Sequence, residues 1–527
     1  MKPFRIFIFF LAVLLLLLLV SVLFPPQGIN MGGDLSLSFP SLAGLNPYDT
    51  AVSLVDVEQL LAESGVTEDP ESDPGRDPYS AAMEAPKTSG PERSGTEAPV
   101  PKAPVPEANA PLSSASKASA PKTSSPKASA SSVVPANVDS LQKHVYRIHF
   151  AGGDASQLQP FFSNLDRLYE GHNQHTRILH FGDSQIENDR MTSLIRYRMQ
   201  RYFGGTGSGL VQAIPLYSGS LSYRQEESGS WLRYTYFGKR DSTIAHQSYG
   251  IMGAFASVPI PQGDRWPSLT YRFNTSRRSG QVRRIRIFLH SYVDGASLAF
   301  RVDGEISDTV RGLPDGFSVT DFTNPGNIHE LEISFQLPEG GRIYGISFES
   351  VEGMQVDNIA MRGGSGLVFT AMTRSTQQSM LDELSPGLIL LQYGGNVVPY
   401  MSAGYYRRAF KRQLKFFKDA CPGVPVIVIG PADMALRENG QFITYPGLEG
   451  IRNALRDAAL ESGCGFWDLY EAMGGENSIA SFVNSDPPLA STDYVHFTNL
   501  GVNLVAEMFL NALMVEYRLY ESQNVDR

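Results

Sequence analysis

Cysteine and dense positive charge are both scarce in this sequence. Only two cysteines, Cys421 and Cys464, occur among 527 residues, which is too few for a disulfide framework and lacks the spacing of a zinc site. A disulfide between them and two buried free thiols are both compatible with the sequence. The formal net charge is −10, and no run of Lys and Arg is dense enough to track phosphates. This composition argues against a nucleic-acid partner.

Aromatic residues are absent between Tyr79 and Tyr146, in a segment that consists largely of Pro, Ala, Ser and Lys. Such a segment buries too little apolar area to offset the entropy lost on ordering it. We therefore predict a disordered, Pro/Ala/Ser-rich linker over residues 28–140. This linker would tether a globular body that begins near residue 141.

A long uncharged run precedes the linker. Residues 6–24 form a 19-residue apolar stretch, about 28 Å long as a helix and so about as long as a bilayer core is thick. No small-x-small cleavage pattern follows, so we predict an uncleaved signal anchor, a transmembrane helix, over residues 1–27. Lys2 and Arg5 precede the run, whereas the first charges after it are acidic. This bias predicts a single-pass protein of the cytoplasmic (inner) membrane whose body lies in the periplasm or another extracytoplasmic space.

The globular body combines two patterns. Strand-like and helical runs alternate in residues 141–212 and again in residues 356–527, and runs such as LILLQYG and VPVIVIG are largely apolar. This pattern predicts a parallel sheet with helices on both faces. Residues 213–355 instead contain short alternating runs separated by Gly, Pro and Asp, which is typical of an antiparallel β-sandwich. The sequence therefore predicts one α/β domain interrupted by an all-β insertion.

The α/β domain is expected to contain five strands and six helices. Its strands are predicted at 177–182, 356–361, 388–394, 424–430 and 465–470, and its helices near 155–170, 186–202, 370–384, 403–419, 447–461 and 498–520.

Polar residues suited to acyl transfer lie at both ends of this domain. Gly182-Asp183-Ser184-Gln185 follows the first predicted strand and comes just before a predicted helix, and Asp493-Tyr494-Val495-His496 precedes the last helix. The carboxyl ends of parallel strands meet at the edge of the sheet where ligands bind. A serine hydroxyl needs a base within hydrogen-bond reach, and an imidazole oriented by a carboxylate supplies one. We predict Ser184 as nucleophile, His496 as base and Asp493 as the partner of the base.

Two glycine-rich segments follow neighbouring strands. Gly394-Gly395-Asn396 comes after LILLQY, and Gly363-Gly364-Ser365-Gly366 comes after VDNIAM. An amide side chain and a glycine N–H at strand ends can stabilise a developing oxyanion. Taken singly, each glycine cluster is more often just a turn.

The four segments GDSQ, GGSG, GGN and DYVH resemble the four blocks of the SGNH (GDSL) hydrolase superfamily, in the family's order, over residues 141–212 and 356–527. The resemblance implies a three-layer, flavodoxin-like α/β fold and the Ser184, His496 and Asp493 triad. It also implies an oxyanion hole made by the Ser184 N–H, the Gly366 N–H and the Asn396 side chain. The chain contains no G-x-S-x-G, so a classical α/β-hydrolase is excluded.

Within the superfamily, the β insertion, the phrase FWDLYEAMGG (466–475) and Phe497-Thr498 resemble bacterial peptidoglycan O-acetylesterases, in which the insertion resembles a carbohydrate-binding module. Gln185 departs from the His that often follows the nucleophile in that group. The resemblance implies a serine esterase that removes O-acetyl groups from an envelope glycan such as peptidoglycan. This chemistry requires neither a metal nor a cofactor.

Two other functions are compatible with the same residues. The first is an O-acetyltransferase that works with a membrane-bound O-acyltransferase partner and passes the acetyl group to a polysaccharide. The second is a non-catalytic glycan-binding protein of the envelope. Four tyrosines near the predicted site, Tyr393, Tyr400, Tyr405 and Tyr406, are predicted either to stack on sugar rings or to pack inside the domain.

Overall fold

The computed structural model describes residues 29–30, 36–37, 146–172, 174–216, 219–259, 266–292 and 295–524. The predicted signal anchor at residues 1–27 and almost all of the predicted linker at 28–140 lie outside the described residues. Two short antiparallel strands, β1 (Ile29–Asn30) and β2 (Ser36–Leu37), are described within the linker region.

The described body contains eighteen further strands and eight α-helices, numbered in chain order. The strands are β3 (His175–Gly182), β4 (Gly209–Val211), β5 (Tyr223–Ser228), β6 (Leu232–Thr235), β7 (Ala254–Ser257), β8 (Ser268–Phe273), β9 (Arg284–Ser291), β10 (Ala296–Val302), β11 (Glu305–Leu313), β12 (Gly316–Thr323), β13 (Glu330–Gln336), β14 (Arg342–Glu349), β15 (Gly353–Ala360), β16 (Leu388–Gln392), β17 (Val426–Ile429), β18 (Ala435–Glu438), β19 (Gln441–Thr444) and β20 (Gly465–Trp467). The helices are α1 (Gln159–Tyr169), α2 (Thr192–Phe203), α3 (Arg374–Leu384), α4 (Ala403–Ala420), α5 (Leu448–Glu461), α6 (Leu469–Ala472), α7 (Ser478–Asn484) and α8 (Asn499–Asn524).

A five-stranded parallel sheet forms the centre of the α/β domain, in the order β15-β3-β16-β17-β20. Numbered along the chain, this order is 2-1-3-4-5, the flavodoxin-like arrangement. Every residue of β16 is buried. Ile389 and Leu391 contribute to one hydrophobic core and Leu388 and Leu390 to the other, because successive side chains point to opposite faces. The sheet is therefore covered on both sides, and the predicted α/β class is confirmed.

Two antiparallel sheets form the insertion, in the orders β11-β10-β13-β8-β5 and β12-β9-β14-β7-β6. Their facing side chains make a separate hydrophobic core. β4 already pairs with β14 of the second sheet, although the insertion was expected to start only at residue 213. β15, expected from residue 356, begins at Gly353 and pairs with β3 over its whole length.

A buried ionic cluster joins the insertion to the parallel sheet. The Arg177 guanidinium on β3 is 1% exposed and lies 2.5 Å from both Glu349 of β14 and Asp357 of β15. Arg177 thus pairs with two carboxylates, and Glu349 also lies 3.9 Å from Arg284, so the buried charges have partners inside the protein.

Several local features differ from the prediction. The helix predicted over 186–202 begins only at Thr192, and the strand predicted over 465–470 ends at Trp467, where α6 follows. The hairpin β18–β19 and the helix α7 were not predicted. Both Cys421 and Cys464 are buried free thiols.

Among the described residues, one helix, Asn499–Gln523, is long and apolar enough to cross a membrane, but 78% of its most apolar 18-residue stretch is buried inside the domain. It is not the helix predicted as the anchor.

Candidate active site

A tight loop carries Ser184 at the carboxyl edge of the parallel sheet. β3 ends at Gly182, where a Cβ would lie 2.8 Å from the side chain of Ile186 and 3.2 Å from the Gln392 carbonyl oxygen. Only glycine lets the loop fold back this closely. Ser184 therefore sits at the edge where strands β3 and β16 end, as the sequence predicts.

The loop after Ser184 replaces the expected start of a helix. Asn188, Asp189 and Met191 have φ values of 58°, 64° and 59°, in the left-handed region that non-glycine residues seldom adopt. The guanidinium of Arg190 donates to the Ser184 carbonyl oxygen at 2.8 Å and to the Phe497 carbonyl oxygen at 3.4 Å. The loop is therefore held by these side-chain contacts together with a short 3-10 turn at Glu187–Asp189, and the α-helix begins only after it.

Ser184, His496 and Asp493 form a hydrogen-bonded chain. The Nε2 atom of His496 lies 3.1 Å from Ser184 Oγ, and its Nδ1 atom lies 2.7 Å from Asp493 Oδ2. The His496 side chain is 27% exposed and the Asp493 side chain 44% exposed. The structure thus brings together three residues that span 312 positions of the chain, in the arrangement that activates a serine.

The Asp493 carboxylate is held in its charged form. Partial burial by itself raises its pKa, but the His496 side chain and the N–H groups of His496 and Val495 outweigh that effect and lower the pKa to about 2. An anionic Asp493 accepts the Nδ1–H of His496 and leaves Nε2 free to accept a proton from Ser184.

The hairpin β18–β19 supports the loop that carries this pair. Tyr494 lies between Asp493 and His496 in the sequence and has a φ of 58°. Its ring stacks on Phe442 of β19 with 3.6 Å between ring centroids. The Ala435 N–H donates to the Tyr494 carbonyl oxygen at 3.0 Å. These contacts fix a backbone conformation that would otherwise cost free energy.

A side-chain bridge also joins the serine loop to the histidine loop. The Gln185 side chain donates through Nε2 to the Val495 carbonyl oxygen at 2.8 Å. Together with Arg190, which contacts Ser184 and Phe497, this bridge flanks the hydrogen bond between Ser184 and His496.

Asn396 is positioned by a buried carboxylate that the sequence did not single out. Its Nδ2 atom donates to Asp183 Oδ2 at 2.8 Å and, through a longer contact of 3.4 Å, to the Gly364 carbonyl oxygen. Asp183 is 3% exposed. Burial raises its pKa to about 6, although the Gln185 N–H, nearby His496 and Asn396 act in the opposite direction. Its position directly before the nucleophile was the only signal in the sequence.

Gly366 occupies a different environment from Asn396. It has a φ of 73°, and a Cβ there would lie 2.8 Å from the Tyr393 ring and 3.0 Å from Phe410. The pocket beside Ser184 is lined instead by residues from four loops, among which Gly366 does not appear. These lining residues are Asp183, Ser184, Gln185, Gln392, Tyr393, Gly395, Asn396, Gly430, Pro431, Ala432, Met434 and Val495.

The four tyrosines divide into two groups. Tyr393 and Tyr406 are 2% and 0% exposed and belong to the hydrophobic core, so for them the packing alternative is correct. Tyr400 and Tyr405 are 83% and 50% exposed. Within the described part of the chain, no group of three or more His, Cys, Asp or Glu residues is placed to hold a metal ion.

Comparison with known proteins gives matches among solved structures alone. No family model and no curated protein matches the chain. A structure of peptidoglycan O-acetylesterase matches with a TM-score of 0.56 and 21% identity, over 68% of this chain and 96% of that one. An acetyl xylan esterase matches at 16% identity over 30% of this chain and 81% of that one, and a putative GDSL-like lipase from Parabacteroides merdae matches at 16% over 31% and 74%. Both of these have a TM-score of 0.25, too low to support an argument.

At 21% identity, the match to peptidoglycan O-acetylesterase shows a common fold, and the body shares that fold over nearly the whole length of that chain.

Proposed function

We propose that this protein is a serine esterase that removes O-acetyl groups from a glycan of the cell envelope, such as peptidoglycan. The observation that carries the proposal is the hydrogen-bonded chain from Ser184 Oγ to His496 to Asp493, at 3.1 Å and 2.7 Å. The fold shared with peptidoglycan O-acetylesterase supports the acetyl group and the glycan as the substrate class.

In the first half-reaction Ser184 Oγ attacks the acetyl carbonyl carbon while His496 Nε2 takes the hydroxyl proton. The resulting imidazolium is stabilised by Asp493, whose pKa of about 2 keeps it anionic. His496 then returns the proton to the departing sugar oxygen as the C–O bond of the ester breaks. The products of this step are a free sugar hydroxyl and an acetylated Ser184.

In the second half-reaction water replaces the sugar. His496 accepts a proton from water as the water oxygen attacks the acetyl-serine, and acetate leaves when Ser184 regains that proton. The partial exposure of His496 and Asp493 supports access by both water and a bulky polymer. A sugar hydroxyl in place of water would give acetyl transfer by the same steps.

Two donors are suited to the oxyanion of each tetrahedral intermediate. Among the described residues, no group accepts a hydrogen bond from the Ser184 N–H. The Asn396 amide lines the pocket and donates a short hydrogen bond to Asp183 and a long one to the Gly364 carbonyl oxygen. The N–H that makes the long bond can exchange it for a hydrogen bond to the oxyanion. We propose that these two groups form the oxyanion hole. The family resemblance implies the Gly366 N–H as a third donor, but Gly366 does not line this pocket.

We also propose that the apolar run at residues 6–24 anchors the protein in the cytoplasmic membrane and that residues 28–140 tether the body outside it. The charges around the run support this orientation. An envelope glycan would then lie within reach of the tethered domain.

The test uses the full-length chain in detergent micelles with acetylated peptidoglycan and with 4-nitrophenyl acetate. Release of acetate that Ser184→Ala abolishes supports the esterase, whereas Ser307→Ala, which alters an exposed hydroxyl on the insertion, should leave the rate unchanged. Acetate release that persists in Ser184→Ala would refute the proposed nucleophile. Acetyl groups that appear on an added unacetylated glycan would identify a transferase instead.

A further inference from the structure

A cluster of basic and aromatic side chains lies on the six-stranded sheet of the insertion, on the side that packs towards the α/β domain. Arg342 opens β14 and pairs in register with His290 of β9. Phe255 of β7 shares a hydrophobic core with the α/β domain. We call this group the basic–aromatic cluster; it consists of Tyr236, Arg240, His246, Tyr249, Phe255, His290, Tyr292 and Arg342.

Among the described residues, no counter-charge faces the buried Arg342 guanidinium. The residue is 9% exposed, and its guanidinium carbon lies 4.7 Å from the ring centre of Tyr292 and 5.5 Å from that of Phe255. Its Nη1 atom makes no hydrogen bond, and among the described residues no carboxylate lies within ion-pair distance of it. A buried charge without a partner destabilises a fold, so such a group usually has a ligand or an ion to pair with.

The other deeply buried arginines of this chain show the contrast. Arg177 is 1% exposed and pairs with Glu349 and Asp357, and Arg196 is also 1% exposed and pairs with Asp189. Arg286, 7% exposed, likewise pairs with Glu383. Among the described residues, Arg342 is thus the buried arginine without a carboxylate partner, and its Nη1 is available to an anionic ligand.

The charges around Arg342 reinforce this preference. Burial and the charges of Arg342 and Arg240 lower the pKa of His246 to about 4. Burial and Arg342 also lower the pKa of His290, with Asp315 acting in the opposite direction. Both histidines are therefore neutral near pH 7 and able to accept hydrogen bonds from hydroxyl groups.

The cluster is connected to the active-site edge of the parallel sheet. Arg240 and His246 lie in the segment 236–253, whose Gln247 carbonyl oxygen accepts from the Thr373 N–H at 2.9 Å. At Gly253 the backbone approaches both Phe237 and Met361. Met361 directly follows β15 at the carboxyl edge of the sheet, where Ser184 also lies. The insertion therefore contacts the loop next to the catalytic residues.

We propose that the basic–aromatic cluster binds a carboxylate-bearing sugar unit of the glycan whose acetylated unit occupies the pocket at Ser184. Arg342 and Arg240 would bind the carboxylate, and the partly exposed Tyr292 ring, 40% exposed, would pack on a sugar face. This inference rests on the proposed function, because it names the charge class of the substrate. The carboxylate belongs either to a uronic acid or to the lactyl and peptide groups of peptidoglycan.

The experiment measures binding by calorimetry to the full-length Ser184→Ala chain, in which no turnover occurs. Three probes are titrated: oligogalacturonate, soluble muramoyl-peptide fragments, and cello-oligosaccharide as a neutral glycan. At least one anionic probe should bind, and Arg342→Gln should weaken that binding by about tenfold or more. Arg301→Gln, on the other sheet and paired with Glu332, is the matched control and should leave affinity unchanged.

Which anionic probe binds identifies the source of the carboxylate. The proposal is overturned if neither anionic probe binds, or if Arg342→Gln binds as tightly as Arg301→Gln. If thermal unfolding shows that Arg342→Gln does not fold, Tyr292→Ala and Arg240→Gln take its place. They must weaken the anionic probe more than cello-oligosaccharide, and equal effects would refute the site. Because the assay needs no catalysis, its failure is separate from failure of the esterase proposal.

Discussion

Two carboxylates flank the Ser184–His496 pair, and their surroundings are opposite. Asp183 on the serine loop is 3% exposed, and burial raises its pKa to about 6. The Asp493 side chain on the histidine loop is 44% exposed, and its hydrogen bonds lower its pKa to about 2. When the pKa values of two neighbouring carboxylates are shifted in opposite directions in this way, the two groups are suited to different roles. In the proposed mechanism Asp493 stabilises charge on His496, whereas Asp183 accepts a hydrogen bond from the Asn396 amide.

The largest expected effect concerns the exposed carboxylate. Asp493→Asn should lower kcat by about 10³–10⁴-fold, because an amide favours the wrong imidazole tautomer and cannot stabilise the imidazolium. The fall in kcat is measured by steady-state kinetics with 4-nitrophenyl acetate as the substrate. Asp419→Asn, which alters an exposed carboxylate paired with Lys415, is the control. A loss of less than tenfold for Asp493→Asn would show that the two carboxylates do not differ in the way proposed.

The second prediction concerns Asn396, whose amide donates to the buried Asp183 carboxylate. Asn396→Ala should lower kcat by about 10²–10³-fold with little change in KM, since the amide acts on charge that develops only in the transition state. Asn396→Asp keeps the size of the side chain but places a carboxylate beside Asp183 and the oxyanion, so it should be at least as slow. An unchanged kcat for Asn396→Ala would remove the amide from the oxyanion hole.

A third effect appears in stability rather than rate. The folded pKa of Asp183, about 6, lies above its ordinary value of 3.8, so this group lowers the free energy of unfolding as pH rises from about 4 to 6. Asp183→Asn stays neutral and should therefore be more stable than the parent above pH 6, by at most about 3 kcal/mol, with no gain below pH 4. Denaturant unfolding from pH 4 to pH 8 tests this. A difference that does not vary with pH would contradict the buried, raised pKa.

Much of this site could be predicted because local patterns encode it. The largely apolar run LILLQYG, with β16 buried at every residue, and the GDSQ and DYVH segments predict both the sheet and the triad. The predicted start of the helix α2 was wrong because Asn188, Asp189 and Met191 have positive φ values. These depend on tertiary contacts that cannot be read from the sequence. The stacking of Phe442 on Tyr494 and the bond from Asp183 to Asn396 join distant segments, so no spacing rule reveals them.

The smallest effect tests how the two loops are held together. Gln185 donates to the Val495 carbonyl oxygen at 2.8 Å, beside the bond between Ser184 and His496. Gln185→Ala should lower kcat about tenfold with an unchanged unfolding temperature, because small displacements of reacting groups are costly in rate. Gln185→Glu should be worse, since two acceptors would then face each other.

Steady-state kinetics with a thermal melt separate this positioning effect from general destabilisation. Gln378→Ala, on α3, alters a half-buried glutamine that donates to the Ala420 carbonyl oxygen at 2.8 Å; it is the matched control and should retain full activity. If Gln185→Ala loses stability and rate in proportion, the bridge matters for folding alone. If it changes KM but not kcat, Gln185 contacts the substrate, and the serine and histidine loops are aligned by Arg190 and the backbone without it.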